Sequence, residues 1–490
     1  MKLTHTDKLK NIGDIFMKND KQIILFGTGS SAQATEALVN RVNLKVDGYT
    51  DNNQQLWGQY KNGKPIFSPS NLNIHHHIII IASMYKKEIA EQLDKLGFIE
   101  HQSYLYPENF MFINNKYTYV KEEPIFPKPT NILENIDTQA ITIYDNQEML
   151  QYSKPIILDS KRYPNFIFPQ QEHPNGEVSI QILKDAYTLG NSGIIFDNQV
   201  QMIKSLSTLS MVNMGIWDGR RWDETFFENL VPTPFLMKLN GNIAVTSTRW
   251  SGVNYYHWMF EELPRFYILK KSGIRINKFI SNFRGYEFQK CSLEAINIKQ
   301  DDIISSSDSY GFQTETLVVP YSPYYDSGYV STWVCDFLRK TFLNKFTLKE
   351  NKYKRIYITR GSARYRKIHN EEALIEILKK YDFKILDMGN FNIYEQANIF
   401  NSAEVIIGIH GAALSNVVFC KPQTKLVEIF NPLYMPTMYW GIASQVGVEY
   451  YCSIGKSLDT HFNETEIEIL LSKDIEVDLE QIQKFLTEYL

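Results

Sequence analysis

The chain has 490 residues, of which 43% are hydrophobic, 22% charged and 13% aromatic, with a formal net charge of −4. At about 150 residues per domain this length suggests three globular domains, and the mild acidity argues against nucleic acid as a partner. Met1 to Lys21 is polar without an apolar stretch, and no run approaches the ~20 apolar residues of a membrane span, so a cytoplasmic protein is expected.

In chain order, the first strong element is the apolar strand Gln22 to Phe26. It is followed at once by Gly27-Thr28-Gly29-Ser30-Ser31-Ala32. That is the Gly-x-Gly-x-x-Ala form of a dinucleotide turn, and Asp51 lies 22 positions beyond Gly29, near the ~20 expected of a ribose-binding acid. Gly27, Gly29 and Asp51 therefore form a candidate second nucleotide site. A degenerate Rossmann module used for docking explains the same residues, because fold does not fix function. His75, His76 and His77 alternate faces on a strand and cannot all converge on a metal. Pro124, Pro127 and Pro129 mark a linker, giving a first domain over residues 1–123.

A second domain is expected over residues 130–345. The strand Ile243 to Thr246 leads into Asn254-Tyr255-Tyr256-His257-Trp258-Met259-Phe260-Glu261-Glu262-Leu263-Pro264-Arg265. At 3.6 residues per turn His257, Glu261 and Arg265 share one helix face, with Glu262 turned away by about 100°. A carboxylate beside a histidine among aromatic residues is a candidate general base; an ordinary i,i+4 Glu–Arg pair is the plainer reading. His257 is the second candidate, since imidazole exchanges protons near neutral pH. Leu317 to Pro320 reads as a further buried strand, and the aromatic loop Pro323-Tyr324-Tyr325 as part of a cleft wall.

Residues 346–490 make the third expected domain. The strand Ile356 to Ile358 ends at Thr359-Arg360, and Arg364 and Arg366 follow within one loop. Three guanidiniums there suit a phosphate or diphosphate through bidentate donors; a solvated basic loop is the alternative. An amphipathic helix starts at Asn370-Glu371. Val405 to Ile409 has the continuous apolar pattern of a strand buried on both faces, and His410, Gly411 and Ala412 open a helix whose N-terminus can seat an anion. Glu428, inside the strand Lys425 to Phe430, can accept hydrogen bonds from a ribose diol or be a structural strand carboxylate. The tail from Glu464 onward, with Ile482, Phe485 and Leu486, reads as amphipathic helix expected to dock back on the preceding domain. Cys291, Cys335, Cys420 and Cys452 are far apart without a Cys-x-x-Cys and read as free thiols.

Taken together, Asn254-x-x-His257-x-x-x-Glu261, Leu263-Pro264-Arg265, Thr359-Arg360, Arg364, Arg366, Asn370-Glu371, Gly408-x-His410-Gly411-Ala412-x-Leu414-x-Asn416 and Val427-Glu428-Ile429 resemble glycosyltransferase family 61. The resemblance covers residues from about 210 to 455. Ala413 departs from the Gly of many members, Ser415 from the usual Thr, and Glu261 stands where plant and animal members carry Asp. The resemblance implies an α/β fold of GT-B type, a pair of Rossmann-like domains, here preceded by the small N-terminal Rossmann-like domain. It also implies inverting transfer of a sugar from a nucleotide-sugar donor, UDP-linked, to a glycan or lipid-linked acceptor in bacterial surface polysaccharide synthesis. The resemblance further implies that no cofactor or metal is bound, and the sequence, which contains no Asp-x-Asp triplet, is consistent with that. Glu261 or His257 would be catalytic, and Asn254, Arg265, Arg360, Arg364, Arg366, Asn370, His410, Gly411, Ala412, Asn416 and Glu428 would bind substrate. Peripheral association with the inner membrane face fits a lipid-linked acceptor. Two other classes stay open: a nucleotide-sugar oxidoreductase or epimerase working through Gly27, and a non-catalytic subunit of a polysaccharide assembly.

Overall fold

The structure is a computed structural model. It describes residues 9–11, 21–29, 32, 35–36, 39–40, 44–83, 85–100, 102–107, 110–113, 116–120, 127, 131–133, 135–145, 148–158, 171–207, 235–248, 250–306, 310–321, 329–343, 353–361, 366–432, 434–458 and 474–490. Among the site and loop residues expected from sequence, Arg364 and Pro323 to Tyr325 lie outside these, as do Pro124 and Pro129 of the linker.

The N-terminal sheet contains β1 (Gln22–Phe26), β2 (Val46–Thr50), β3 (Tyr60–Lys61), β4 (Lys64–Phe67), β5 (His77–Ile81) and β6 (Tyr104–Leu105), in the order β3-β4-β2-β1-β5-β6. All pairings are parallel except the β3–β4 hairpin. The unbroken apolar runs of β1 and β5 are explained by burial on both faces: Ile23 and Leu25 enter one apolar cluster, Ile24 and Phe26 another. Helix α1 (Lys86–Lys95) buries Ile89 and Leu93 against the second of these.

The middle section is a ten-stranded mixed sheet. Its strands are β7 (Asn131–Leu133), β8 (Gln139–Tyr144), β9 (Val178–Lys184), β10 (Tyr187–Leu189), β11 (Ile194–Phe196), β12 (Gln201–Ile203), β13 (Phe235–Val245), β14 (Lys278–Ser281), β15 (Ile303–Ser305) and β16 (Tyr310–Tyr321). The run β16-β13-β14-β15 is parallel, as is the edge pair β7–β12, and the long β16 pairs antiparallel with β9 and β10 along its other edge. The sequence predicts a Rossmann-like section throughout. Residues 187–203 instead fold back in short hairpins, with left-handed backbone at Gly193 (φ 60°) in the first reversal, while β9 and β10 run the same way along β16 on either side of Asp185 (φ 51°). Behind the parallel part lie α2 (Leu263–Ser272), α3 (Glu287–Ala295) and α4 (Thr332–Leu343).

The third sheet is all parallel. Strands β17 (Arg355–Ile358), β18 (Lys384–Leu386), β19 (Val405–Ile409), β20 (Lys425–Phe430) and β21 (Glu449–Ile454) lie in the order β21-β20-β19-β17-β18. This is a doubly wound topology whose winding direction reverses between β17 and β19, the position where α/β sheets open a crevice at their carboxyl ends. Helices α5 (Glu371–Lys379), α6 (Ile393–Ser402) and α7 (Met438–Val446) connect the strands. The terminal helix α8 (Leu479–Tyr489) does not cross back to the middle section as the sequence predicts. Its Ile482, Phe485 and Leu486 pack with Tyr357, Leu374 and Tyr451 of the third section itself, because its apolar stripe fits the sheet face left open there.

The crossing chain is a different one. The short strand Ile156–Ile157 extends the third sheet beside β21, and the Trp440 indole donates to the Ser153 carbonyl at 2.7 Å. One apolar cluster runs from Phe266 and Leu269 of α2 through Leu338 of α4 to Phe400, Val417 and Trp440. At about 1.5–3 kcal/mol for each fully buried large apolar side chain, this shared core fixes the two sections against each other.

Candidate active site

The first group of site residues sits on a broken helix. Asn254 caps it, accepting from the Tyr256 N–H at 2.9 Å. A single α turn, Tyr255–His257, passes into a π turn, Trp258–Glu262, and only then into α2. The transition is visible in the backbone: Trp258 N–H donates to the Asn254 carbonyl, whereas Leu263 N–H reaches back five residues to Trp258. Pro264 supplies the cause. It has no N–H for the Phe260 carbonyl and its ring crowds that carbonyl, so the helix widens by one residue.

Within this turn the Glu261 carboxylate meets His257 Nδ1 at 2.7 Å, and both side chains are largely buried, at 11% and 13% exposure. Tyr256 stacks on Phe260 at 5.2 Å, and Trp258 is fully buried with its indole donating to Ser292 at 2.8 Å. Arg265, expected to bind substrate from the same face, is only 2% exposed.

The second group lies at the switch point of the third sheet. Arg360 follows β17 by two residues and His410 follows β19 by one. A Cβ at Gly411 would overlap the Arg360 guanidinium, so Gly is required for this close approach. Burial, and then the neighbouring Arg366, push the Arg360 guanidinium down to about 10, with Tyr439 and Asp387 opposing. Arg366 lies near the Tyr434 ring and adopts a left-handed backbone (φ 59°), a strained conformation for a non-glycine residue.

His410 is 4% exposed and boxed by Phe430, Tyr434 and Tyr439, with ring centroids at 5.6, 5.3 and 4.9 Å. Its Nδ1 is 2.5 Å from Glu428, whose other oxygen accepts from the Tyr450 hydroxyl at 2.6 Å. Burial drives both members toward their neutral forms, holding His410 well below and Glu428 well above the usual range; Arg366 and Arg360 reinforce the effect on His410. A neutral pair shares one proton on the short Nδ1–O axis and leaves an N–H on His410 Nε2. Glu428 is fully buried and both its oxygens are engaged, so it supports His410 rather than presenting acceptors to a ribose.

Two further expected binding residues are occupied within the protein. Asn370 clamps the backbone of Val477, donating to its carbonyl at 2.8 Å and accepting from its N–H at 2.9 Å. Asn416 accepts from the Tyr255 hydroxyl at 2.8 Å and donates to Gln396 at 2.7 Å, tying the two sections together. The segment after Gly411 is a 3-10 helix, Ala412–Phe419, not the α-helix its sequence suggests.

The two groups converge. Tyr256 lies 5.3 Å from the His257 ring and 6.0 Å from Tyr439, which in turn packs on His410 and interacts with Arg360. Sequence reasoning misses Tyr434, Tyr439 and Tyr450. Only the register that sets Leu426 beside Tyr450 and Glu428 beside Cys452 explains why Tyr450 can reach Glu428.

In the N-terminal domain, Gly27 has φ 119° and a Cβ there would overlap the Ala82 carbonyl at the end of β5. Thr28 donates to Asp51 at 2.7 Å, and the other Asp51 oxygen accepts from Asn53 N–H at 2.9 Å. Lys61 donates to the Thr28 carbonyl at 2.6 Å. Gly27 thus lies at the switch point between β1 and β5, Asp51 is held beside Thr28 at the end of β2 on the other side of β1, and Gly29 faces open space. All four cysteines are free. Among the described residues, no helix is long and apolar enough to cross a membrane.

Comparison with known proteins gives two family matches: residues 19–103 match the C2185-like N-terminal family, and residues 255–427 match glycosyltransferase 61. An EGF domain-specific O-linked N-acetylglucosamine transferase from Mus musculus is 29% identical over 85 residues, 16% of this chain and 16% of that protein. Beta-1,2-xylosyltransferase RCN11 from Oryza sativa subsp. japonica is 34% identical over 62 residues, 13% of this chain and 12% of that protein. The chain therefore spans 16% and 12% of the lengths of these curated relatives. From Tyr255 to Val427, a stretch that holds Glu261, Arg360 and His410, the chain carries a segment similar to glycosyltransferase 61.

Proposed function

We propose that the protein transfers a sugar from a nucleotide-sugar donor to a glycan or lipid-linked acceptor. The middle and third sections act as the two halves of a GT-B-type enzyme. Glu261, oriented by His257, takes the proton of an acceptor hydroxyl as that oxygen attacks the anomeric carbon. The bond to the nucleoside diphosphate breaks on the opposite face, so configuration inverts in one step without a covalent intermediate. Arg360, Arg366 and the N–H of His410 Nε2 take up the negative charge of the leaving diphosphate, and the Gly411 backbone leaves room for it. Fixed guanidiniums and dipoles do this without reorganisation, as a metal ion would otherwise do.

One observation carries this reading: the Glu261–His257 pair and the Arg360–His410 group lie around the same Tyr256–Tyr439 contact. The similarity over residues 255–427 supports it. The donor is of the UDP-linked kind, and the Leu263-Pro264-Arg265 form of the motif favours a bacterial surface polysaccharide as product, made at the inner membrane face. The test is a panel of nucleotide sugars screened for thermal stabilisation, then for nucleoside diphosphate release with candidate acceptors, with and without EDTA. Glu261→Gln should keep nucleotide binding and lose transfer by about 10²–10⁴-fold, the range for a removed general base. Undiminished transfer by that variant would remove Glu261 from the role.

A further inference from the structure

Next to Glu261, Glu262 points the opposite way, into protein. It is fully buried, and donors from three separate chain segments converge on it. One carboxyl oxygen accepts from the Ser281 hydroxyl at 2.5 Å, the Asn282 N–H at 3.0 Å and the Thr246 hydroxyl at 3.2 Å. The other oxygen contacts the Ser251 hydroxyl. Thr246 and Ser281 lie at the carboxyl ends of the parallel strands β13 and β14, and Ser251 lies on the loop that leads into the helix. Each of these partners is neutral.

The donors and acceptors close into a complete set when Glu262 carries a proton. Its O–H then donates to Ser251, the Ser251 hydroxyl donates onward to the Thr248 carbonyl at 2.7 Å, and the remaining oxygen accepts from Ser281 and Asn282. Burial acts in the same direction, raising the affinity of this carboxyl for its proton against the opposing pull of its hydrogen bonds.

A π turn is rare and is kept only where surrounding contacts hold it. Relaxation to α geometry would rotate side chains on one side of the turn by about 100° relative to those on the other. That would change the direction of Glu261 and its partner His257 relative to the strand ends that hold Glu262. Pro264 opens the turn, and a second contact is needed to lock it. We propose that Glu262, as a neutral acid fastened to the ends of β13 and β14, is the positioning residue that locks the π turn and thereby aims Glu261 and His257. The inference rests on the transferase reading above.

The experiment compares kcat and donor KM for Glu262→Leu, Glu262→Gln, Ser281→Ala and Glu261→Gln in the full chain. An amide reproduces the hydrogen-bonding pattern of a protonated carboxyl, donating on one side and accepting on the other. Glu262→Leu should therefore lower kcat by about 10–10²-fold, the cost of a misplacement of about 1 Å, while donor KM stays within about threefold. Glu262→Gln should restore most of that loss, in contrast to Glu261→Gln. Should Glu262→Leu fail to fold, Ser281→Ala carries the test: a smaller fall in kcat at constant KM is expected. Equal losses for Glu262→Gln and Glu262→Leu, or an unchanged kcat in a folded Glu262→Leu or in Ser281→Ala, would overturn the proposal. Full activity of Glu261→Gln would instead refute the general base itself, so the two failures are separable.

Discussion

Replacing Glu428 by leucine is the sharpest test of the buried pair behind His410. The carboxyl is fully buried and satisfies two partners, His410 Nδ1 at 2.5 Å and the Tyr450 hydroxyl at 2.6 Å. Leucine is of similar size but strips both. Each buried polar group left without a partner costs about 1–3 kcal/mol, so the variant should lose about 2–6 kcal/mol, a large share of the ~5–15 kcal/mol of a typical domain. Glutamine can donate its amide hydrogen to Nδ1 and accept from Tyr450, as a protonated carboxyl does, and should lose less than about 1.5 kcal/mol, one ordinary hydrogen bond. Urea unfolding followed by tryptophan fluorescence measures the difference, with Trp440 at the section boundary as the reporter. Nitrogen-15 NMR should show His410 as the Nε2–H tautomer in both the parent and the Gln variant. If Gln destabilises as much as Leu, the pair is an ion pair and the neutral description is refuted.

Further outcomes follow from the same geometry. The folded-state affinity of Glu262 for its proton is raised, so the folded state binds more protons than the unfolded chain above the unfolded value of about 4.3. Stability from this group is therefore present at low pH and falls as pH rises through the window between that value and the higher folded one, with a slope of up to about 1.4 kcal/mol per pH unit; urea midpoints of the parent minus those of Glu262→Gln should show it, and a flat difference would refute it. Arg360→Lys should weaken nucleoside diphosphate binding by about 10–150-fold, equivalent to about 1.5–3 kcal/mol for a lost charged hydrogen bond, and titration calorimetry that finds unchanged affinity would exclude Arg360 from the diphosphate. Gly411→Ala should raise donor KM by displacing that same guanidinium, with little change in melting temperature. Asn254→Ala removes the N-cap and should cost about 0.5–2 kcal/mol, with kcat falling more than donor KM rises.

Much of this layout is legible in the residues because it follows from local rules. The apolar runs of β1, β5 and β19 announce strands buried on both faces, and β17 and β19 end where Arg360 and His410 begin. The i,i+4 spacing of His257 and Glu261 survives even though the helix between them is not regular. Less legible are features that depend on distant partners. The π turn is signalled only by Pro264, and the burial of Arg265 by nothing local. Asn254 and Asn370 read as ligands in a motif, and the structure adds that the first caps a helix and the second clamps the Val477 backbone. The doublet Glu261-Glu262 gives two identical side chains opposite fates, one beside histidine in the site and one among strand-end hydroxyls.

The sequence by itself determines which segments are strands and helices, and which carry charge next to small residues, because periodicity and turn chemistry act over a few neighbours. Only the tertiary structure decides that Glu428 serves His410, that Tyr256 meets Tyr439, and that the strand at Ile156, rather than the last helix, links the middle and third sections. The first depends on the register between neighbouring strands, the other two on burial shared between segments more than a hundred residues apart, and no local pattern encodes either.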